Sequence, residues 1–290
     1  LGRDCGRAQT AGEAHMSVSF LHRGGPSMAS YRYRAAMPAQ AIGASLNDPS
    51  AEVVVFAKPH PEDVETAAKI HADGRIVIVD ICDDHLAAPH YQDLIAVATA
   101  VTCSTEELAS RIARQFGRAA TIIDDPYEQP EVPPHGSGRH VLWFGHASNL
   151  DSFRRVIGDL PDFAIMVVTN APGYRAWSQD AMREAWAWAD AVMLPATVTY
   201  KSANRAVESI RQGCFVVAEP HPAIMDIPGI WIGNIREGLE WAVSNWPDAN
   251  QRTRRAQEYV QARYAPATQA SAWKRLLQTV SAPLTLAAGR

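Results

Sequence analysis

From Met16 onward, short β-branched apolar runs alternate with longer segments whose apolar residues recur every three or four positions. Val18 to Leu21, Val53 to Ala57, Arg75 to Ile81, Ala100 to Cys103 and Ala120 to Ile123 read as strands. A helix is expected from about Ser27, where Met28, Tyr31, Ala35, Ala39 and Ile42 form one stripe and Gly43 can end it. Further helices are predicted over Pro61 to Ala72, near Tyr91 to Ala98, and over Thr105 to Phe116 with Ser104 or Thr105 as cap. The texture then breaks. Between Asp124 and Arg139 stand Pro126, Pro130, Pro133, Pro134, Gly136 and Gly138, with little to pack, which marks a linker.

The alternation resumes with strands at Val141 to Phe144, Phe163 to Val168, Ala191 to Leu194, Cys214 to Ala218 and Ile230 to Ile232. Helices are expected over Asn149 to Ile157, Ser178 to Asp190, Ser202 to Gln212, Ile235 to Asn245, Ala249 to Tyr264 and Gln269 to Val280. Strands spaced in this way by helices mean parallel sheets covered on both faces. The expected architecture is therefore α/β, with two Rossmann-like parallel-sheet domains facing a cleft. Residues 16–125 form the first domain, 126–139 the linker and 140–265 the second domain. A C-terminal helix and tail over 266–290 is placed back against the first domain. Residues 1–15 are small and polar without the apolar stretch of a signal peptide, so they read as a leader, a vector remnant or a disordered arm.

Composition narrows the function classes. Of 290 residues, 47% are hydrophobic and 20% charged, enough apolar matter for sizeable cores. Lys and Arg number 27 against 31 Asp and Glu, so no basic excess calls for nucleic acid. No apolar run approaches the ~20 residues of a membrane span. Cys5, Cys82, Cys103 and Cys214 are widely spaced without a CxxC pair, which suits reduced thiols. The expected location is cytoplasmic, with a peripheral position at the inner membrane face compatible with it; oligomeric state is left open.

Several signatures are missing: no GxGxxG follows a strand, and there is no P-loop, GxSxG elbow, HExxH or Cys/His quartet. A ligand would then sit outside the carboxyl ends of the strands without either phosphate fingerprint. The stretch Pro195 to Gly213 is the most informative. A polar loop leaves the strand at Leu194, Ser202 can cap the next helix, and Ala203, Ala206, Val207 and Ile210 form its buried stripe. Free amides at that helix start, with Lys201 beside them, suit a diphosphate. Asn204 and Glu208 share another face, and Glu208 could accept hydrogen bonds from ribose hydroxyls.

The run KSANRAVESIRQGCFVVAEPHPA resembles the donor-nucleotide motif of GT-B-fold glycosyltransferases. Leu142 to Asn149 is similar to the first strand and loop of their C-terminal domain, and Ser30 to Arg34 followed by Pro38 to their N-terminal loop and helix. Thr102 to Leu108 and Ile122 to Pro126 resemble further turns of the same proteins. Glu208 matches the ribose-binding second glutamate of their Glu-x7-Glu pattern, whereas Tyr200 stands where the first glutamate would be.

The resemblance implies transfer of a sugar from a nucleotide diphosphate sugar to a hydroxyl of a glycan, lipid or small-molecule acceptor, with no cofactor beyond that co-substrate and no metal. Lys201 and Arg205 would neutralise the departing diphosphate. Asp83 and His146 are candidates for proton transfer, His146 equally for a loop role. Gly145, Ser148, Asn149, Tyr200, Ser202, Asn204 and Glu208 would line the donor. Gly24 and Gly25 allow close approach of an acceptor, and Arg32 and Arg34 could hold an anionic one. The run Asp80 to His85 places carboxylates and a histidine after a strand, where capping and solvation outweigh a metal site. Closure about 126–139 would exclude water. Two alternatives stand beside transfer: a sugar-nucleotide epimerase of the same fold, and a non-catalytic nucleotide-sugar-binding or partner module, which Tyr200 at the glutamate position favours.

Overall fold

The computed structural model describes residues 16–288; the segment 1–15, expected to be a leader or disordered arm, lies outside the described residues. Two six-stranded sheets account for all twelve strands among them. The first contains β1 (Val18–Leu21), β2 (Ser45–Leu46), β3 (Val53–Ala57), β4 (Ile76–Ile81), β5 (Ala100–Cys103) and β6 (Ala120–Ile122). Its spatial order is β2-β1-β3-β4-β5-β6, every pair parallel. The second is built from β7 (His140–Phe144), β8 (Ala164–Thr169), β9 (Arg175–Ala176), β10 (Ala191–Leu194), β11 (Phe215–Ala218) and β12 (Trp231–Ile232), in the order β12-β11-β10-β7-β8-β9, again parallel throughout. The two-residue strands β2 and β9 are too short to leave a period in the sequence.

Both faces of each sheet are covered, which is why the central strands are apolar end to end. In β3 and β4, Val54, Phe56, Val77 and Val79 join Ile70, Leu94 and Leu108 on one side. Val53, Val55, Ile76 and Ile78 join Phe20, Ala39 and Trp273 on the other. Trp273 belongs to the last helix, Pro266–Ala288, and meets Phe20 edge-on at 5.0 Å. The chain thus returns to the first sheet after completing the second. Asp80 interrupts this apolar environment in β4 with no exposure at all.

Residues 29–42 form one helix with a π segment, Arg32–Ala36, at its centre. The cause is Pro38, which has no N–H to offer Arg34; the Met37 amide instead reaches back five residues to the Arg32 carbonyl. The wider turn buries Arg32, Tyr33 and Arg34 consecutively. A stripe reading of period 3.6 does not anticipate that.

The Pro-rich segment is fastened down rather than loose. Val132 N–H bonds the Arg211 carbonyl at 2.8 Å, and Gln212 and Gln257 donate to the carbonyls of Pro130 and Val132. Much of the segment 126–139 is thus hydrogen-bonded to the second sheet's layer. Gly213 makes the close approach possible. Its φ is +75°, and a Cβ there would lie 2.4 Å from the Pro133 carbonyl oxygen. Gly213→Ala is expected to cost about 2 kcal/mol, from a left-handed backbone and steric overlap together, read as a lowered urea midpoint; an unchanged midpoint would refute this account of the linker.

Candidate functional site

The carboxyl ends of β4 and β5 face the loop that follows β10, and three consecutive residues of that loop are held by the first sheet's layer. The Tyr200 carbonyl accepts from Thr105 Oγ1 at 3.1 Å, Lys201 Nζ pairs with Asp83, and Ser202 Oγ donates to Asp125 at 2.5 Å. Ser202 is thus not the expected cap. The helix runs Asn204–Arg211, begins after Ala203, and has no side-chain cap.

Beneath this loop lies a shallow depression, open to solvent and lined in part by Pro195, Lys201, Ser202, Arg205 and His221. Arg205 crosses from the helix to the end of β7, where its guanidinium donates to the Phe144 carbonyl at 3.2 Å. A Cβ on Gly145 would come within 3.4 Å of that guanidinium, so the loop after β7 and the helix after β10 close together here. Among the described residues no carboxylate pairs with Arg205. Burial lowers its pKa to about 10, which leaves a positive charge at neutral pH. His221 accepts from the Ala223 amide through Nδ1 and so presents Nε2–H to the Val198 carbonyl. Burial lowers its pKa, so it is neutral there. Arg205, Lys201 and the uncapped start of the helix Asn204–Arg211 thus lie together at the carboxyl end of a parallel strand.

No family model matches the sequence, and no curated protein matches it either. Solved structures do resemble the chain. HepE from Anabaena, in complex with UDP and glucose, superposes with a TM-score of 0.71 at 12% identity, covering 91% of this chain and 100% of that one. WaaG, a glycosyltransferase involved in lipopolysaccharide biosynthesis, gives 0.60 at 14% identity over 88% of this chain and 98% of its own. A glycosyltransferase from Rickettsia africae gives 0.58 at 8% identity over 94% and 99%. The chain has the GT-B glycosyltransferase fold.

Within this GT-B frame the expected residues divide. Lys201, Arg205, Asn204 and Gly145 lie around the depression or at the helix that closes it. His146, exposed on the loop after β7, uses Nδ1 to cap the short turn Ala147–Asn149 by accepting from the Ser148 amide at 3.2 Å. Ser148 Oγ lies 3.0 Å from the same nitrogen, and Asn149 precedes the helix Leu150–Ile157 without a side-chain cap bond. Asn170 fixes the loop by accepting from the Ala147 amide.

Four placements correct the sequence reading. Glu208 is only 4% exposed. Its carboxyl accepts from Tyr33 Oη at 3.1 Å and from the amides of Glu128 and Gln129 at 2.7 and 3.3 Å, so both oxygens are engaged where a ribose contact was expected. Tyr200 packs on the first sheet's core beneath Arg111 instead of facing the depression. Arg34, expected to hold an acceptor, is buried: it forks onto both oxygens of Asp80 and gives its remaining nitrogen to Asp125 and the Ile123 carbonyl. Arg32 is likewise committed, to Glu128 at 2.6 Å and the face of Trp177.

Gly24 lies against its own turn. A Cβ there would strike Met28 Sδ at 2.3 Å, and its amide donates to His22, while Gly25 has open space around it. Asp83 sits between Lys58 and Lys201. Burial opposes its ionisation, but the two lysines win and hold its carboxyl below the ordinary range, which makes it a weak base. Asp84 turns away to Arg111. Sequence reasoning missed Tyr33, Lys58 and Asp125, and the bond from Thr105 to the Tyr200 carbonyl. Asp80 offered the one signal, since a carboxylate inside a six-residue apolar strand demands a buried partner.

Proposed function

We propose that this chain is a glycosyltransferase that binds a nucleotide diphosphate sugar in the depression after β10 and transfers the sugar to an acceptor hydroxyl. The observation that carries the reading is Arg205: a guanidinium without a carboxylate partner, held over Gly145 and beside the free amides of the helix Asn204–Arg211. A diphosphate leaving group develops negative charge as the glycosidic bond breaks. Arg205, Lys201 and the helix amides would stabilise that charge from fixed positions, with no reorganisation at the moment of reaction. That HepE is solved with UDP-glucose supports this donor class. The acceptor would enter from the first sheet's side, past His22 to Gly25.

Thermal melting with UDP, GDP, ADP and dTDP sugars tests the donor. A ligand at 100 times its dissociation constant adds about 2.7 kcal/mol of stability, and a chain that none of them stabilises is not a nucleotide-sugar enzyme. For the donor that binds, Arg205→Ala is expected to weaken affinity about ten- to a hundredfold, the worth of a charge-assisted hydrogen bond, measured by titration calorimetry. Undiminished binding would remove Arg205 from the site.

A second reading has its own observation. Tyr200 and Glu208, at the two glutamate positions of the pattern, both join the sheets instead of lining the depression. That favours a module that holds a nucleotide sugar without turnover, for which tight binding without hydrolysis or transfer across acceptors is the expected result.

A further inference from the structure

Lys58 follows β3 and is one of two non-glycine residues with positive φ among those described, at +51°. A side chain is strained in that backbone conformation, and such strain persists where the surroundings enforce it. Here the Lys58 amide is tied to the Asp80 carbonyl at 3.0 Å. The result is an ammonium group aimed at the cleft, with Nζ 2.9 Å from Asp83 Oδ2. The other oxygen of the same carboxylate holds Lys201, which comes from the opposite sheet and lines the depression. One carboxylate therefore bridges two ammonium groups from two domains at the edge of the proposed donor site. Arg205, which has no carboxylate partner among the described residues, lines the same depression as Lys201 and adds a further positive charge on that side.

Resting on the reading above, we propose that Lys58 is a further donor-binding residue contributed by the first sheet, and that the Asp83 carboxylate occupies a phosphoryl position between Lys58 and Lys201. A carboxylate and a phosphoryl group are both compact oxyanions that accept N–H bonds, the phosphoryl with one more oxygen and more charge. The diphosphate takes both ammonium groups, and Asp83 gives up both Lys58 and Lys201. Asp83 thus competes with the ligand, and removing its charge should strengthen binding rather than weaken it.

Calorimetry on the full chain with UDP and inorganic pyrophosphate tests this. Lys58→Gln should weaken both ligands about tenfold, as loss of one charge-assisted contact does, and Lys58→Arg should restore most of the loss. Asp83→Asn should tighten both several-fold, and Lys201→Ala in the Asp83→Asn background should abolish the gain. Lys58→Gly separates binding from folding: it relieves the backbone, so its melting temperature should match or exceed that of the parent while its affinity falls. Wild-type affinity in Lys58→Gln, or weaker binding in a folded Asp83→Asn chain, overturns the proposal while leaving the donor site intact if Arg205→Ala still lowers affinity. A parent chain that binds neither probe sinks both.

Discussion

Replacing Arg34 by methionine is expected to lower folding stability by about 3–5 kcal/mol, the usual penalty for breaking a buried ion pair from one side. Arg34 is 1% exposed and Asp80 fully buried. Nε and one terminal nitrogen reach the two Asp80 oxygens at 2.9 and 2.5 Å, and the other terminal nitrogen reaches Asp125 at 3.1 Å and the Ile123 carbonyl at 2.6 Å. Burial alone would discourage the charge, but Asp80 raises the pKa of Arg34, so the guanidinium stays ionised. Methionine fills similar space and leaves two carboxylates without their cation, Asp80 keeping the Thr102 hydroxyl and Asp125 the Ser202 hydroxyl. Lysine should recover little, because a single ammonium cannot make the fork. Adding Asp80→Asn to the methionine variant should recover part of the loss. A methionine variant within 1 kcal/mol of the parent in urea unfolding would show the pair to be energetically idle.

Glu208 should make stability depend on pH. Burial raises its pKa to about 7 from an ordinary 4.5, outweighing the Glu128 amide and Tyr33, which favour the charged form. Between those values the folded chain binds a proton that the unfolded chain releases. The contribution is therefore greatest below about pH 4.5, declines as pH rises, and is gone above about 7. The span is about 3 kcal/mol at 1.36 kcal/mol per unit. Other carboxylates titrate in the same range, so the quantity to measure is the difference between the parent and Glu208→Gln across pH 5 to 8. The glutamine keeps an oxygen for the Glu128 amide and carries no proton equilibrium. Parallel pH profiles for the two chains would refute the assignment.

The fold was legible because its determinants are local and repeated. Val53 to Ala57 and Arg75 to Ile81 can be little other than strands covered on both faces, and Thr105 does cap its helix, accepting from the Leu108 amide. What escaped depends on residues far apart in sequence. Ser202 looks like a cap, yet a buried carboxylate 77 positions away attracts its hydroxyl more strongly than the helix amides do. Glu208 looks like a ribose ligand until the linker amides of Glu128 and Gln129 arrive beside it. Asp80 announced a partner without naming it. The partner was found only by a helix whose register Pro38 had shifted, bringing Arg34 onto the face that meets β4.

That shifted turn limits what change the chain can absorb. Arg32, Tyr33 and Arg34 each meet a different structure: Glu128 at the linker, Glu208 in the second sheet's layer, and Asp80 in the first. Point substitutions there each cost one tie. Inserting or deleting a single residue between 29 and 37 would rotate all three side chains off their partners at once, and restoring the ordinary helix by Pro38→Ala would press in the same direction. The segment should therefore tolerate changes of identity far better than changes of length.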